Sequence, residues 1–543
     1  MNFKQVLNTI GSVLVSTILL FCLLEGAARC LGGVTGASRF AERIILREQL
    51  TPQKTPGEFR IFTFGESTIH GSHYAPISSP ARWLEKYLHD FLPGRKIRVV
   101  NFFRMGQRSS FAYETFKDTV VYQPDLIILY FGHNGYLPGN RKAEVEKKKK
   151  SFNYRLEALE KKSVLASAIY QQVIRWRMHL HRGCREDSMG FKTMEAPPLR
   201  YGPNDMTVRD SPSYREGLEF FRGNLEKITG LARQKKIKIL ILRPVSNLKD
   251  FSPWYSFHRQ TLTAEKLSRW ERFYREGQAD EEKGKPGPAL KNYLRAHPLD
   301  STYAELSFRL GRMYLKNGEF ARAKKYFREA KDNDGVIFRA TQEVLDTLET
   351  FAQKENLALL DTEKWLLENE PTGILGNPTI EDNAHFSLKG QALVGKHLAL
   401  EIARRNWIAP RRLWRFDKKR PYSAIAEELG VNNELLFTAY LKMAQYFSTR
   451  YERRLYWIRK ALEIRPEDPH ALRHLAWTYW LMGEKEKALK VYAELGKSNP
   501  EVFGEVFTNI GELGKAAENY GAEQLLDTLT ETNRRIGFSG RPK

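Results

Sequence analysis

Four short segments, far apart in the chain, carry the residue types of an ester-cleaving site: Gly65, Glu66 and Ser67; Asn101 followed by Gly106; Gly132, His133 and Asn134; and Asp382 with His385. A serine hydroxyl is a weak nucleophile at neutral pH. It needs a base within hydrogen-bond reach and donors for the negative charge that forms on the attacked carbonyl oxygen. His385 is the candidate base, taking the Ser67 proton and returning it to the leaving alcohol, and Asp382 is placed to orient the imidazole and stabilise its charged form. The backbone N–H groups of Ser67 and Gly106 and the side-chain amide of Asn134 are the candidate oxyanion donors. Taken singly, each segment has an ordinary structural explanation. Gly-Glu-Ser makes a turn, Asp-x-x-His a helix-face pair, and an asparagine after glycine a turn residue that tolerates positive φ. Their conjunction carries the chemistry.

The elements that must position these residues are legible around them. Arg60 to Phe64, Ile97 to Asn101, Asp125 to Phe131, Ile237 to Leu242 and Leu357 to Asp361 are short apolar runs rich in strand formers, separated by helical or long segments. Strands alternating with helices predict an α/β fold with a doubly wound, five-stranded parallel sheet, and such sheets bind ligands beyond the carboxyl ends of their strands. Ser67, Gly106 and Asn134 each fall just past such an end. Ser67 is expected at the amino terminus of a helix running toward Ala81 to Leu88, where free N–H groups and the helix dipole favour an oxyanion.

In order and spacing the four segments resemble the SGNH (GDSL) hydrolase family, which places its acid and base at the same Asp-x-x-His spacing. The resemblance implies a flavodoxin-like sheet, ester hydrolysis through an acyl-serine intermediate and no cofactor, with Ser67, Asp382 and His385 catalytic and Ser67, Gly106 and Asn134 forming the oxyanion hole. The match has departures. The first block commonly reads Gly-Asp-Ser and here has Glu66, a change that keeps the charge. An acidic residue commonly follows the asparagine of the third block, whereas Gly135 stands here and leaves the rigidity of that loop open. The Phe102 to Met105 stretch is bulkier than usual and would narrow the site. His70 and His73 follow the nucleophile closely, but with no cysteine or carboxylate at ligand spacing they are expected to pack or to meet substrate near the cleft mouth, with no metal. Two alternatives share the chain with ester hydrolysis. An O-acyltransferase would pass the same acyl group to a sugar hydroxyl, and an inactive domain would leave the repeats described below as a scaffold.

A chain of 543 residues is longer than such a sheet domain, which needs about 200. Residues 1–4 form a short flank, and residues 5–24 contain no charged side chain. That is about the length that crosses a bilayer, so an uncleaved transmembrane signal anchor is expected there, followed by a linker over 25–57. Arg29, Arg39 and Arg43 follow the span and only Lys4 precedes it, a charge balance that does not favour export. The short amino-terminal flank and the family resemblance favour it, giving an enzyme on the outer side of a bacterial inner membrane. Two of the three cysteines, Cys22 and Cys30, lie in or beside the span, and Cys184 is alone, so no disulfide framework forms in the remainder. The formal net charge of +23 suits an acidic partner surface such as anionic lipid or polyanionic glycan. No nucleic-acid motif accompanies it. The basic run Lys147 to Lys150 reads as a solvated face, and the amphipathic stretch from Leu156 to Leu180 suits either the hydrolase core or anionic headgroups.

Two segments carry a helical-repeat pattern with a step of about 34 residues. The first has Leu310, Gly311, Tyr314, Ala323, Phe327 and Ala330; the second has Leu475, Ala476, Tyr479, Gly483, Ala488, Tyr492 and Pro500, with a weaker unit before it at Ala461 and Pro466. These resemble tetratricopeptide repeats, which suits a protein partner. The first interrupts the sheet domain between its fourth and fifth strands and is expected beside the cleft. The expected organisation is a hydrolase domain over 58–254 and 336–408, a helical insertion over 255–335 and a helical repeat region over 409–543. Gln278 to Pro288, rich in charge, glycine and proline, reads as an exposed connection. Pro244 to Pro253 is a candidate cleft wall. The expected substrate is an ester-bearing small molecule, lipid or glycan.

Overall fold

The computed structural model describes residues 39–103, 106, 108–136, 207–209 and 211–499. The expected anchor over 5–24, the three cysteines, the basic run, the stretch from Leu156 to Leu180 and Pro500 lie outside them. Among the described residues no helix is long and apolar enough to cross a membrane.

Five parallel strands form one sheet: β1 (Phe59–Gly65), β2 (Ile97–Phe103), β3 (Leu126–Tyr130), β4 (Lys238–Leu242) and β5 (Ala358–Leu360), in the order β2-β1-β3-β4-β5. These are the five apolar runs of the sequence, with ends shifted by a residue or two. The runs are nearly continuous because both faces of the sheet are covered, as parallel sheets require. On one face Phe62, Phe64, Phe102 and Phe116 form an aromatic cluster, with Phe64 stacked on Phe102 at 5.5 Å between ring centres. The helices Ser109–Thr119, Pro212–Gln234 and Gln342–Lys354 close over it. Pro80–Phe91 and Leu388–Arg404 pack against each other, and Gly395 is needed there because a Cβ would overlap the backbone and Cβ of Trp83.

Register sets the site. Gly65 at the end of β1 pairs with Phe103 of β2 and Tyr130 of β3, so three strand ends lie abreast. Segments that leave these strands emerge on one edge. At Gly65 the turn passes so close to the Tyr130 carbonyl and the Ile69 side chain that a Cβ would overlap both.

The helix expected to run from Ser67 toward Leu88 is two separate helices. Ser67–His70 is a single turn that ends at Gly71, whose φ of 84° is left-handed. A loop follows, and Pro80–Phe91 starts afresh with Ser79 as N-cap, its hydroxyl accepting the Arg82 N–H, and Pro80 in the first turn. The physical reason is local, since a left-handed glycine and a proline-led cap both interrupt a helix. A four-residue turn has little dipole to offer, so an oxyanion there would rely on individual N–H groups.

Between β4 and β5 the chain makes two helical hairpins, Ala264–Glu282 with Pro286–Ala296 and Ala304–Lys316 with Phe320–Asp332. The second is the repeat expected from the sequence, with Gly311 against the Phe327 ring. The first was not anticipated. Gln278 to Pro288 is mostly helix with a short turn at 283–285, because Pro286 and Pro288 occupy the first turn of the next helix, where a missing N–H costs nothing. Trp270, Tyr274 and Tyr293 form its core, packed with Leu306 of the following helix.

The chain divides into two compact units, with the break after Ile425. Residues past 408 remain with the sheet domain: Arg415 N–H donates to the Phe91 carbonyl, Arg420 pairs with Asp90, and Tyr422 stacks on Trp83. The second unit contains two further hairpins, Asn433–Tyr446 with Tyr451–Ile464 and Pro469–Leu481 with Lys485–Ser498. Ala476, Trp480, Ala488, Tyr492 and Leu495 are buried together in the second of these.

Candidate active site

Ser67, His385 and Asp382 form one hydrogen-bonded chain, although the first two are 318 residues apart in sequence. The Ser67 Oγ lies 2.7 Å from His385 Nε2, and His385 Nδ1 lies 2.5 Å from Asp382 Oδ2. Asp382 is fully buried, and its other oxygen accepts the backbone N–H groups of Ala384 and His385 at 3.0 and 2.8 Å. Burial alone would raise its carboxyl. The adjacent His385 charge and the hydrogen bonds from His385 and His73 outweigh burial and hold it well below the usual carboxylate range. The loop is a tight reversal, with Ile380 and Phe386 bridged antiparallel and the Glu381 N–H donating to the His385 carbonyl.

The Gly132 to Asn134 loop is held from beneath. Glu66 is 2% exposed, and its carboxylate accepts the N–H groups of Gly132 and Asn134 on one oxygen (3.1 and 3.2 Å) and of His133 on the other (3.1 Å). The rigidity that an acidic neighbour of Asn134 would provide comes instead from the residue before the nucleophile. Beyond keeping the charge, Glu66 couples the Ser67 turn to the Asn134 loop. Asn134 is 6% exposed. Gly106 has a left-handed φ of 66°. Asn101 accepts the Thr63 hydroxyl at 2.7 Å and donates to the Ile69 carbonyl at 3.0 Å, so it braces the nucleophile turn.

Burial pushes the Glu66 carboxyl up to about 7, against the pull of its three donors. A folded value above the unfolded one means the fold selects the protonated form. The Glu66 contribution to stability is therefore full below about 4.5 and is lost as pH rises toward 7. Glutamine keeps one acceptor, turns an amide toward an N–H and does not titrate. Glu66→Gln should cost about 1–3 kcal/mol at the acid end. Chemical denaturation should show the gap to the native protein narrowing as pH rises to 7; a widening gap would mean that the fold selects the carboxylate.

His133 is fixed as a neutral ring. Burial lowers it to about 3, its Nδ1 accepts the Ala340 N–H at 3.1 Å, and its Nε2 lies 3.2 Å from the Tyr130 hydroxyl. Ala340 follows the helical insertion, as do Phe338, whose carbonyl accepts the Asn383 amide, and Arg339, which donates to the Asn247 and Phe251 carbonyls. The Asn247 N–H donates to the Asn383 carbonyl. The Pro244 to Pro253 loop and the end of the insertion thus both touch the site loops.

The two histidines after the nucleophile part company. His70 is buried and stacked on Phe103, and burial lowers it to about 3. His73 instead reaches the acid, its Nε2 lying 3.0 Å from the same Asp382 oxygen that holds His385. Among the described residues, His73, Asp382 and His385 are the group whose ligand atoms, within 4.8 Å of one another, could hold a cation. Glu66 stood in view in the sequence without its role. The role of His73 had no sequence signal, since its partner is 309 residues away.

Sheet order, strand-end placement and the serine–histidine–aspartate chain together define an α/β domain with the site arrangement of a serine hydrolase. Residues 304–335 and 470–501 each match a family model described as tetratricopeptide repeat. No curated protein matches the chain in sequence. Among solved structures it is similar to a GDSL-like lipase from Bacteroides thetaiotaomicron, at 11% identity over 68% of this chain and 100% of that one, with a TM-score of 0.30. A lipase/acylhydrolase from Enterococcus faecalis gives 12% identity over 64% and 96%, with a TM-score of 0.28. A tetratricopeptide-repeat protein with an unusual peptide-binding site gives 16% over 44% and 95%, with a TM-score of 0.14.

Proposed function

We propose that this protein is a serine ester hydrolase that works through an acyl-serine intermediate, anchored by residues 5–24 with its site outside a bacterial inner membrane, and acting on an acylated envelope glycan or lipid. The Ser67–His385–Asp382 chain carries the chemical part of this reading. His385 removes the Ser67 proton as Oγ attacks the ester carbonyl. Asp382 stabilises the imidazolium, and the alcohol leaves with that proton. Water then repeats the cycle on the acyl-serine. The Ser67 and Gly106 N–H groups and the Asn134 amide are assigned to the oxyanion. The uncharged span and the net positive charge support the envelope setting and an anionic surface, and the repeats suit a protein partner.

The test is labelling of the full-length protein in detergent with a fluorophosphonate, which traps activated serines, alongside Ser67→Ala and His385→Ala. Labelling lost in both variants supports the reading. A folded native protein that takes no label would instead favour a repeat-bearing scaffold. Asn134→Ala should keep the label site but lower kcat for p-nitrophenyl acetate by roughly 10² to 10³, the effect of losing one oxyanion donor. A loss below tenfold would remove Asn134 from the oxyanion hole.

A further inference from the structure

The stretch between the nucleophile turn and the helix Pro80–Phe91 returns to the acid–base loop and is pinned just after His73. Tyr74 donates its hydroxyl to the Glu381 carboxylate at 2.7 Å, and Ser78 donates to Gln391 at 2.7 Å while accepting the Trp83 indole N–H at 2.9 Å. At its start Gly71 passes so close to the Ser78 carbonyl and to Ser79 that a Cβ would overlap them. Between Gly71 and Tyr74, His73 is held at a φ of 82°, a left-handed conformation that a side chain with a Cβ adopts only under constraint. Its imidazole lies against that of His385, edge to face with ring centres 4.9 Å apart, and its Nε2 is 3.0 Å from Asp382 Oδ2.

A buried carboxylate offers about four acceptor sites. Asp382 fills them with two backbone N–H groups on one oxygen and two imidazole nitrogens on the other. Without His73, Oδ2 would keep His385 alone, and one acceptor position of a fully buried carboxylate would lose its donor, leaving the plane of the carboxylate less firmly held. We propose that His73 is a positioning residue for the hydrolysis: its Nε2–H fixes the Asp382 carboxylate in the plane that orients His385 toward Ser67. It acts through Asp382. The strained backbone is the conformational cost of placing a second imidazole on the acid.

This proposal rests on the serine-hydrolase reading, and the experiment separates the two. The full-length protein is compared with His73→Gly and His73→Gln in fluorophosphonate labelling rate and in p-nitrophenyl acetate turnover. Glycine adopts a φ of 82° without strain, so His73→Gly removes the ring while relieving the backbone, and its melting temperature should not fall. Its labelling rate and kcat should drop about ten- to a hundredfold, the scale of a lost hydrogen bond to a charged group, with KM within about twofold. His73→Gln places an amide N–H near the position of Nε2 and should recover most of the rate. A His73→Gly protein as fast as the native one, or a His73→Gln protein no faster than His73→Gly, overturns the positioning role. A native protein that takes no label overturns the hydrolase reading instead.

Discussion

Replacing Ser67 by alanine is expected to lower turnover of p-nitrophenyl acetate by roughly 10⁴ to 10⁶ while leaving the fold intact. The hydroxyl has a single hydrogen-bond partner among the described contacts, His385 Nε2 at 2.7 Å, so its loss leaves no other recorded bond broken. The residue left behind still has the Glu66-braced loop and the Ser67 backbone N–H, which is why the expected rate stays above that in water. Melting temperatures of the two proteins should agree, and their rates should not. A loss of less than about a hundredfold would mean that the acyl group is not carried on Ser67 and that water is activated directly by His385.

Asp382→Asn comes next in size, at about 10⁴ in kcat. Four N–H groups converge on the native carboxylate, two from the backbone of Ala384 and His385 and two from imidazole rings. An asparagine has one acceptor oxygen and one NH₂, so one of these pairs must face a donor. If the oxygen keeps the backbone pair, the NH₂ faces His385 Nδ1 and drives that ring into the tautomer with its proton on Nε2. That nitrogen then cannot take the Ser67 proton. If the oxygen turns to the rings, the backbone donors of a fully buried loop are stranded, at about 1–3 kcal/mol each. Either way kcat falls, with KM nearly unchanged, and a stability loss in denaturant distinguishes the second arrangement from the first. An Asp382→Asn protein within tenfold of native turnover would remove Asp382 as the group that orients His385.

The strands were legible because burial on both faces writes each as an unbroken apolar run. Phe62 and Phe64 turn to the aromatic cluster while Ile61 and Thr63 are buried on the opposite face. Ser67, Gly106 and Asn134 were legible because each sits a few positions past such a run, whereas Asp382 and His385 lie well beyond β5 and were legible only by their spacing. What misled was punctuation. Proline and glycine at Lys285 to Pro288 read as a linker, yet Pro286 opens a helix, since its missing N–H falls where no intrahelical acceptor exists. Conversely, the segment from Ser67 to Leu88 read as one helix, and Gly71 divides it by adopting a left-handed φ that the sequence permits without requiring. The first helical hairpin of the insertion escaped notice because its core is built from Trp270, Tyr274 and Tyr293, aromatic residues that do not follow the repeat's usual small-residue pattern.

By itself the sequence determined the five strands, the strand-end positions of Ser67, Gly106 and Asn134, the Asp382–His385 spacing and the repeat at 304–335, since each rests on neighbours within a few residues. Only the tertiary structure decided which charged groups meet. Glu66 reaches the Gly132 to Asn134 loop because β1 and β3 pair in a register that sets Gly65 beside Tyr130. His73 reaches Asp382 because Tyr74 and Ser78 are bonded to Glu381 and Gln391, more than 300 residues on. A side chain's local sequence sets what it can donate or accept. Which partner it finds across the fold, and at what cost in backbone strain, follows from how the sheet and its loops pack.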